Sequence, residues 1–147
     1  MKLVTKHVDK QQDEAIVITY MEWTKQMEDI KNYILGSGKH ITGYRDDIGM
    51  KQIRIDEILY FEAVGELVFA YTLEEMYEIK MRLYQIEESL KIDKIKRVSK
   101  SVLANLRKIE SVRPALNGRL YAKMSGGEEI LISRQYAKEV TAEILAG

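Results

Sequence analysis

After residue 43 the spacing of apolar residues drops from three and four to two, and it stays short over most of the remaining chain. Lys51-Gln52-Ile53-Arg54-Ile55-Asp56 alternates polar and apolar, the pattern of a strand with one buried face. Residues 58–63 and 67–72 are aromatic and aliphatic runs of strand length, separated by the short turn Val64-Gly65-Glu66. Residues 76–80, 95–99, 109–113, 120–124 and 129–133 read as further strands, with 102–106 between two of them. Asn117-Gly118 marks one hairpin, because a type I′ turn needs positive φ at both central residues, and Gly126-Gly127 marks another. Short strands at such spacing predict an antiparallel sandwich or barrel, so the fold class is α+β and mostly antiparallel β.

Helical spacing is confined to three places. Trp23, Met27, Ile30 and Ile34 recur at steps of three and four, with Thr24 or Glu22 placed to cap the start and Gly36-Ser37-Gly38 the end. Leu83, Ile86 and Leu90 form a short stripe, and Tyr136, Val140 and Ile144 form one side of a closing helix over residues 134–145. Upstream, Ala15-Ile16-Val17-Ile18-Thr19-Tyr20 is a β-branched run that predicts a strand, with residues 1–8 as its partner. The chain therefore divides near residue 43. Residues 1–43 form a small N-terminal α/β unit, either making dimer or partner contacts through Tyr20 and Trp23 or packed on the main domain. Residues 44–147 form the β domain.

The net charge of this 147-residue chain is zero, but the charge is segregated. Residues 91–123 hold ten Lys and Arg against Asp93 and Glu110, a net +8, while residues 56–90 carry a net −7. Within the basic segment, Arg97, Lys100, Arg107 and Lys108 recur beside Ser99, Ser101 and Asn105, small groups able to donate to phosphate oxygens next to the cations. One reading is a surface for a polyanion. The other is a pair of oppositely charged faces that attract each other within a fold or a dimer. No two consecutive amphipathic helices are present, so a nucleic-acid reader here would work through strands or loops.

Other chemistries find little support. There is no cysteine, which excludes disulfides and thiolate metal sites. His7 and His40 stand without a neighbouring acid or nucleophile, and no His, Asp and Glu set has metal-ligand spacing. Gly36-Ser37-Gly38-Lys39-His40 fails as a phosphate loop, because His40 follows the lysine and the segment ends a helix instead of opening one. The expectation is a non-enzyme with no cofactor and no small-molecule substrate. No apolar run approaches the roughly 20 residues of a membrane span, and the N-terminus lacks a signal-peptide core, which predicts a cytoplasmic protein.

Four segments, in order, carry a family resemblance. They are Ile58-Leu59-Tyr60-Phe61-Glu62-Ala63 with Val68-Phe69-Ala70-Tyr71; Tyr77-Glu78-Ile79-Lys80 with Leu83 and residues 86–90; residues 95–106; and Ile132-Ser133-Arg134-Gln135-Tyr136. Together they resemble the LytTR-type DNA-binding domain of bacterial transcription regulators. The resemblance implies a β sandwich or elongated multi-sheet domain with short helices, whose loops enter successive major grooves of double-stranded DNA. It makes Lys100 a groove or phosphate contact and Arg134 a base or phosphate contact, with the turn holding Glu66 as a third contacting loop and Asn105 bracing its own turn. Arg97, Ser99, Ser101, Arg107 and Lys108 complete the candidate DNA-binding set. Two positions depart from the family pattern: Ser99 stands where histidine is usual, and Ile95 where phenylalanine is common. The resemblance further implies a stand-alone regulator without a receiver domain, acting as a homodimer and controlled by a partner membrane protein. The competing reading is a protein-interaction or self-association module that keeps the fold without binding DNA.

Overall fold

The computed structural model describes residues 2–36 and 39–146. Its centre is a seven-stranded sheet with the order β2-β1-β5-β4-β3-β7-β6. The strands are β1 (His40–Arg45), β2 (Gly49–Arg54), β3 (Tyr60–Val64), β4 (Leu67–Tyr71), β5 (Met76–Ile79), β6 (Ile95–Ser99) and β7 (Val102–Asn105). A second sheet has the order β10-β9-β8, built from β8 (Ile109–Pro114), β9 (Leu120–Met124) and β10 (Glu129–Ile132). Every pairing is antiparallel. Helices α1 (Lys25–Gly36), α2 (Leu83–Ser89) and α3 (Arg134–Ala146) are each separated from the next by strands.

Two apolar cores follow from the alternation in the strands. Phe61, Val68, Ala70, Tyr77, Ile79 and Leu103 point to one face of the large sheet, where Leu83, Ile86 and Leu90 cover them. Val98, Val102 and Ala104 point the other way, toward Ala122, Met124, Ile130 and Ile132 of the small sheet and Ala137 and Val140 of α3. β7 is thus buried on both faces, which accounts for its unbroken apolar run Val102-Leu103-Ala104. The β6–β7 hairpin is packed between the two cores, which support its turn from both sides.

Local chemistry sets the element ends. The Thr24 hydroxyl accepts from the Met27 amide (3.3 Å) and caps α1, as its sequence position predicts. The Gln85 side chain accepts from the Arg82 amide (2.9 Å) at the head of α2. Asn117 (φ 61°) and Gly118 (φ 74°) both adopt the left-handed conformation expected of Asn-Gly. The loop they occupy is longer than a two-residue turn, however, since β8 and β9 pair up to Pro114 and Leu120.

The expected strand over residues 15–20 does not form. Residues 14–20 hold no regular structure, and Ile16 (71%) and Val17 (77%) are exposed. A β-branched run becomes a strand only beside another strand, and here none lies next to it. The N-terminal region instead contributes α1, which reaches the β domain through Tyr33: the Arg107 guanidinium lies 4.8 Å from its ring centroid. Trp23 remains 44% exposed and serves its own neighbourhood, donating to Glu28 (2.6 Å) and meeting Tyr20 edge to face. β1 begins at His40, so the large sheet takes up residues on both sides of position 43. The helix-ending role expected of Gly36-Ser37-Gly38 falls partly on Ser37 and Gly38, which lie outside the described residues.

Candidate nucleic-acid interface

The antiparallel pairing of β3 with β7 decides which turns are neighbours. Tyr60 faces Ala104, Phe61 faces Leu103 and Glu62 faces Val102, so the end of β3 lies beside the start of β7. One step further on, the Ala63 amide donates to the Ser101 carbonyl (2.8 Å). The Val64-Gly65-Glu66-Leu67 turn and the Ser99-Lys100-Ser101 turn therefore project from the same end of the sheet. The first turn is tight, with Val64 paired to Leu67 and Gly65 at φ 62°.

The second turn is held from behind. The β6–β7 register shifts between Arg97 and Ser99, a bulge that bends the strand just before its tip. Arg97 donates to the Lys100 carbonyl (2.8 Å) and pairs with Glu87 (3.1 Å). Its charge is thus neutralised from α2, and it positions the turn. Lys100 is exposed and has no ion-pair or hydrogen-bond partner for its ammonium among the described residues. Ser99 and Ser101 flank it, half-buried, with their hydroxyls uncommitted among the described residues.

Arg134 joins this edge from α3. The Ser133 amide (2.8 Å) and hydroxyl (3.3 Å) both donate to the Val98 carbonyl, while the Ser133 carbonyl receives the amides of Tyr136 and Ala137 (both 3.0 Å). Ser133 thus fixes the head of α3 against the bulged end of β6. Arg134 follows it, exposed and unpaired among the described residues, at the helix end whose dipole favours anions. Gly118 supports the arginine: a Cβ there would come 2.9 Å from Arg134 Cγ. Arg97, Lys100, Ser133, Arg134, Gln135 and Tyr136 line one shallow concavity. Gln135 is not singled out by the sequence; its position one residue after Arg134 is the available signal.

Arg107 and Lys108 lie elsewhere. They follow the far end of β7, in a short 3-10 turn over Leu106–Lys108. Arg107 donates to the Asp93 carbonyl (3.0 Å) as well as covering Tyr33. The buried Asp93 carboxylate pairs with Lys39 (3.0 Å). Asn105, 3% exposed, donates to the Ile58 carbonyl (2.9 Å) and accepts from the Arg107 amide (3.2 Å), which is the bracing role expected of it. In β3, Tyr60 stacks on Tyr71 with ring centroids 4.5 Å apart, and burial, followed by the nearby Tyr71 and Glu62, pushes its phenol up to about 12. Among the described residues no group of three or more His, Cys, Asp or Glu is placed to hold a metal ion, and no helix is long and apolar enough to cross a membrane.

The fold has counterparts among known proteins. The LytTr DNA-binding domain family matches residues 49–144. The sensory transduction protein LytT of Bacillus cereus is 27% identical over 135 residues, covering 87% of this chain and 55% of that protein. An uncharacterised HTH-type transcriptional regulator of Staphylococcus aureus is 30% identical over 88 residues, covering 60% of this chain and 59% of its own length. The chain thus spans little more than half the length of these relatives. A solved LytTr DNA-binding domain from Bacillus cereus superposes with a TM-score of 0.67 at 23% identity, over 75% of this chain and all of that domain. Both folds are antiparallel β with short helices. Among the described residues no two α-helices follow one another directly, as a helix-turn-helix would require.

Proposed function

We infer the function from one premise: this chain belongs to the LytTr DNA-binding domain family, and so is a DNA-binding transcription regulator. We propose that it binds duplex DNA sequence-specifically by inserting the β3–β4 turn, the β6–β7 turn and the head of α3 into the major groove. The observation that carries this reading is the placement of Lys100 and Arg134, two exposed cations without partners among the described residues, on adjoining supports at one end of the fold. Lys100, with Ser99 and Ser101 beside it, would meet phosphate or a base edge. Arg134 has the two-pronged donor geometry that suits guanine O6 and N7. Arg97 would act by holding the turn. Arg107 and Lys108 stand outside this contact set, since neither shares the concavity with Lys100 and the Arg107 guanidinium is engaged by the Asp93 carbonyl and Tyr33.

Homodimerisation on paired sites and control by a partner membrane protein are parts of the same proposal, with the exposed residues 15–23 as the place for such contacts. That exposed apolar arm also favours a second reading, self-association without DNA. Selection of duplexes from a random pool, followed by anisotropy titration of the full chain, separates the two. The regulator enriches a defined site and binds it less tightly as salt rises. A self-association module enriches none, and sediments as an oligomer whatever the salt.

A further inference from the structure

Glu66 is out of place on a surface built to meet phosphate. It sits at the tip of the β3–β4 turn, which the Ala63–Ser101 hydrogen bond holds against the Lys100 turn. The neighbouring acids have partners: Glu62 accepts from Tyr71 (3.3 Å) and Glu87 pairs with Arg97 (3.1 Å). Glu66 is exposed and has no hydrogen-bond or ion-pair partner among the described residues. The tip carries no cation. Its other side chains are Val64 (54% exposed) and Leu67 (48%), cross-strand partners that share one face of the hairpin.

Resting on the DNA-binding reading above, we propose that this tip is a pyrimidine-reading element, in which Glu66 accepts from the exocyclic amino group of a cytosine and Val64 and Leu67 lie against thymine methyl groups. A carboxylate near the backbone only weakens binding, so its useful place is over the base edges. In the major groove two bases offer an amino donor. Adenine sets its own N7 acceptor beside the amino group, which repels a carboxylate, whereas cytosine presents the donor alone. The apolar pair has a matching feature in the thymine C5 methyl. Gly65, at φ 62° with no atom within 4 Å of where a Cβ would stand, keeps the tip narrow enough to enter the groove.

The test compares base preferences of wild type, Glu66→Gln and Glu66→Ala on a randomised duplex pool, with thermal melting of each protein. Wild type prefers cytosine at one position by about tenfold. Glu66→Gln moves that position to adenine, because glutamine is bidentate to N6 and N7. Glu66→Ala loses the preference at that position alone and binds non-specific DNA more tightly, since a like charge has gone. Unchanged preferences in both variants overturn the proposal, as does a loss spread over all positions with a lowered melting temperature. If wild type itself enriches no site, the failure belongs to the DNA-binding reading beneath it.

Discussion

The two ends of the β6–β7 hairpin are built from similar residues, but one pairs its polar groups within the fold and the other leaves them open. At the far end of β7, Asn105, Arg107 and Asp93 satisfy one another and the backbone, and Lys39 completes the set. At the turn, Lys100, Ser99 and Ser101 keep their side-chain donors uncommitted among the described residues, and Arg134 arrives beside them in the same state. Both ends are basic and contain small polar residues. Asn105 and Asp93 are buried and must find partners within the fold, whereas Lys100 and Arg134 are exposed and open to a ligand. Basic composition therefore says little about DNA contact until the internal partners have been assigned.

The contrast is most exposed to test at Asn105. Replacing it with alanine orphans the buried Ile58 carbonyl, which should destabilise the protein by about 1–3 kcal/mol, and frees the part-buried Arg107 amide at a smaller cost. Urea denaturation reads this, while the protein that remains folded keeps its base preferences. Arg134→Ala should do the reverse. Stability stays within about 0.5 kcal/mol, as for an exposed side chain away from special features, and discrimination at one base position falls by about 1–3 kcal/mol. A change of base preference in Asn105→Ala, or a collapse in stability in Arg134→Ala, would erase the distinction.

Smaller effects refine it. Arg107→Ala removes the cation from the face of Tyr33 and should cost about 0.5–1 kcal/mol of stability, with the salt dependence of DNA binding unchanged. Tyr60, near the satisfied end, supplies a pH test. Its phenol is pushed up to about 12 in the folded chain, while the unfolded chain ionises near 10. Between those values the unfolded state has already released its proton and the folded state retains it, so stability falls as pH rises through this window. Absorbance titration near 295 nm with parallel denaturation should show this alkaline loss in wild type and reduce it in Tyr60→Phe.

Much of this was legible in the sequence. Period-two alternation placed the strands, the stripe Tyr136, Val140 and Ile144 placed α3 on the second core, and Asn117-Gly118 carried its backbone conformation with it. These features depend on local sterics and on one buried face. What depends on distant partners was not legible. Residues 15–20 have the composition of a strand but no neighbour to pair with. The net +8 of residues 91–123 overstated the charge open to a ligand. Glu87 covers Arg97, Glu143 lies 3.9 Å from Lys96 and Glu129 covers Arg113, and all three acids lie outside the segment. The reading of attracting acidic and basic faces holds locally, at Arg97–Glu87 and Lys91–Glu88, without extending to Lys100.

On the function proposed here, the open end of the hairpin meets DNA and the satisfied end does not. The most direct test is the slope of log binding constant against log salt for Lys100→Ala and Arg107→Ala on one selected duplex. Lys100→Ala should flatten the slope by about 0.9, the value of a single neutralised phosphate, while Arg107→Ala should leave it at the wild-type value. A wild-type slope for Lys100→Ala together with a flattened one for Arg107→Ala would contradict the proposal.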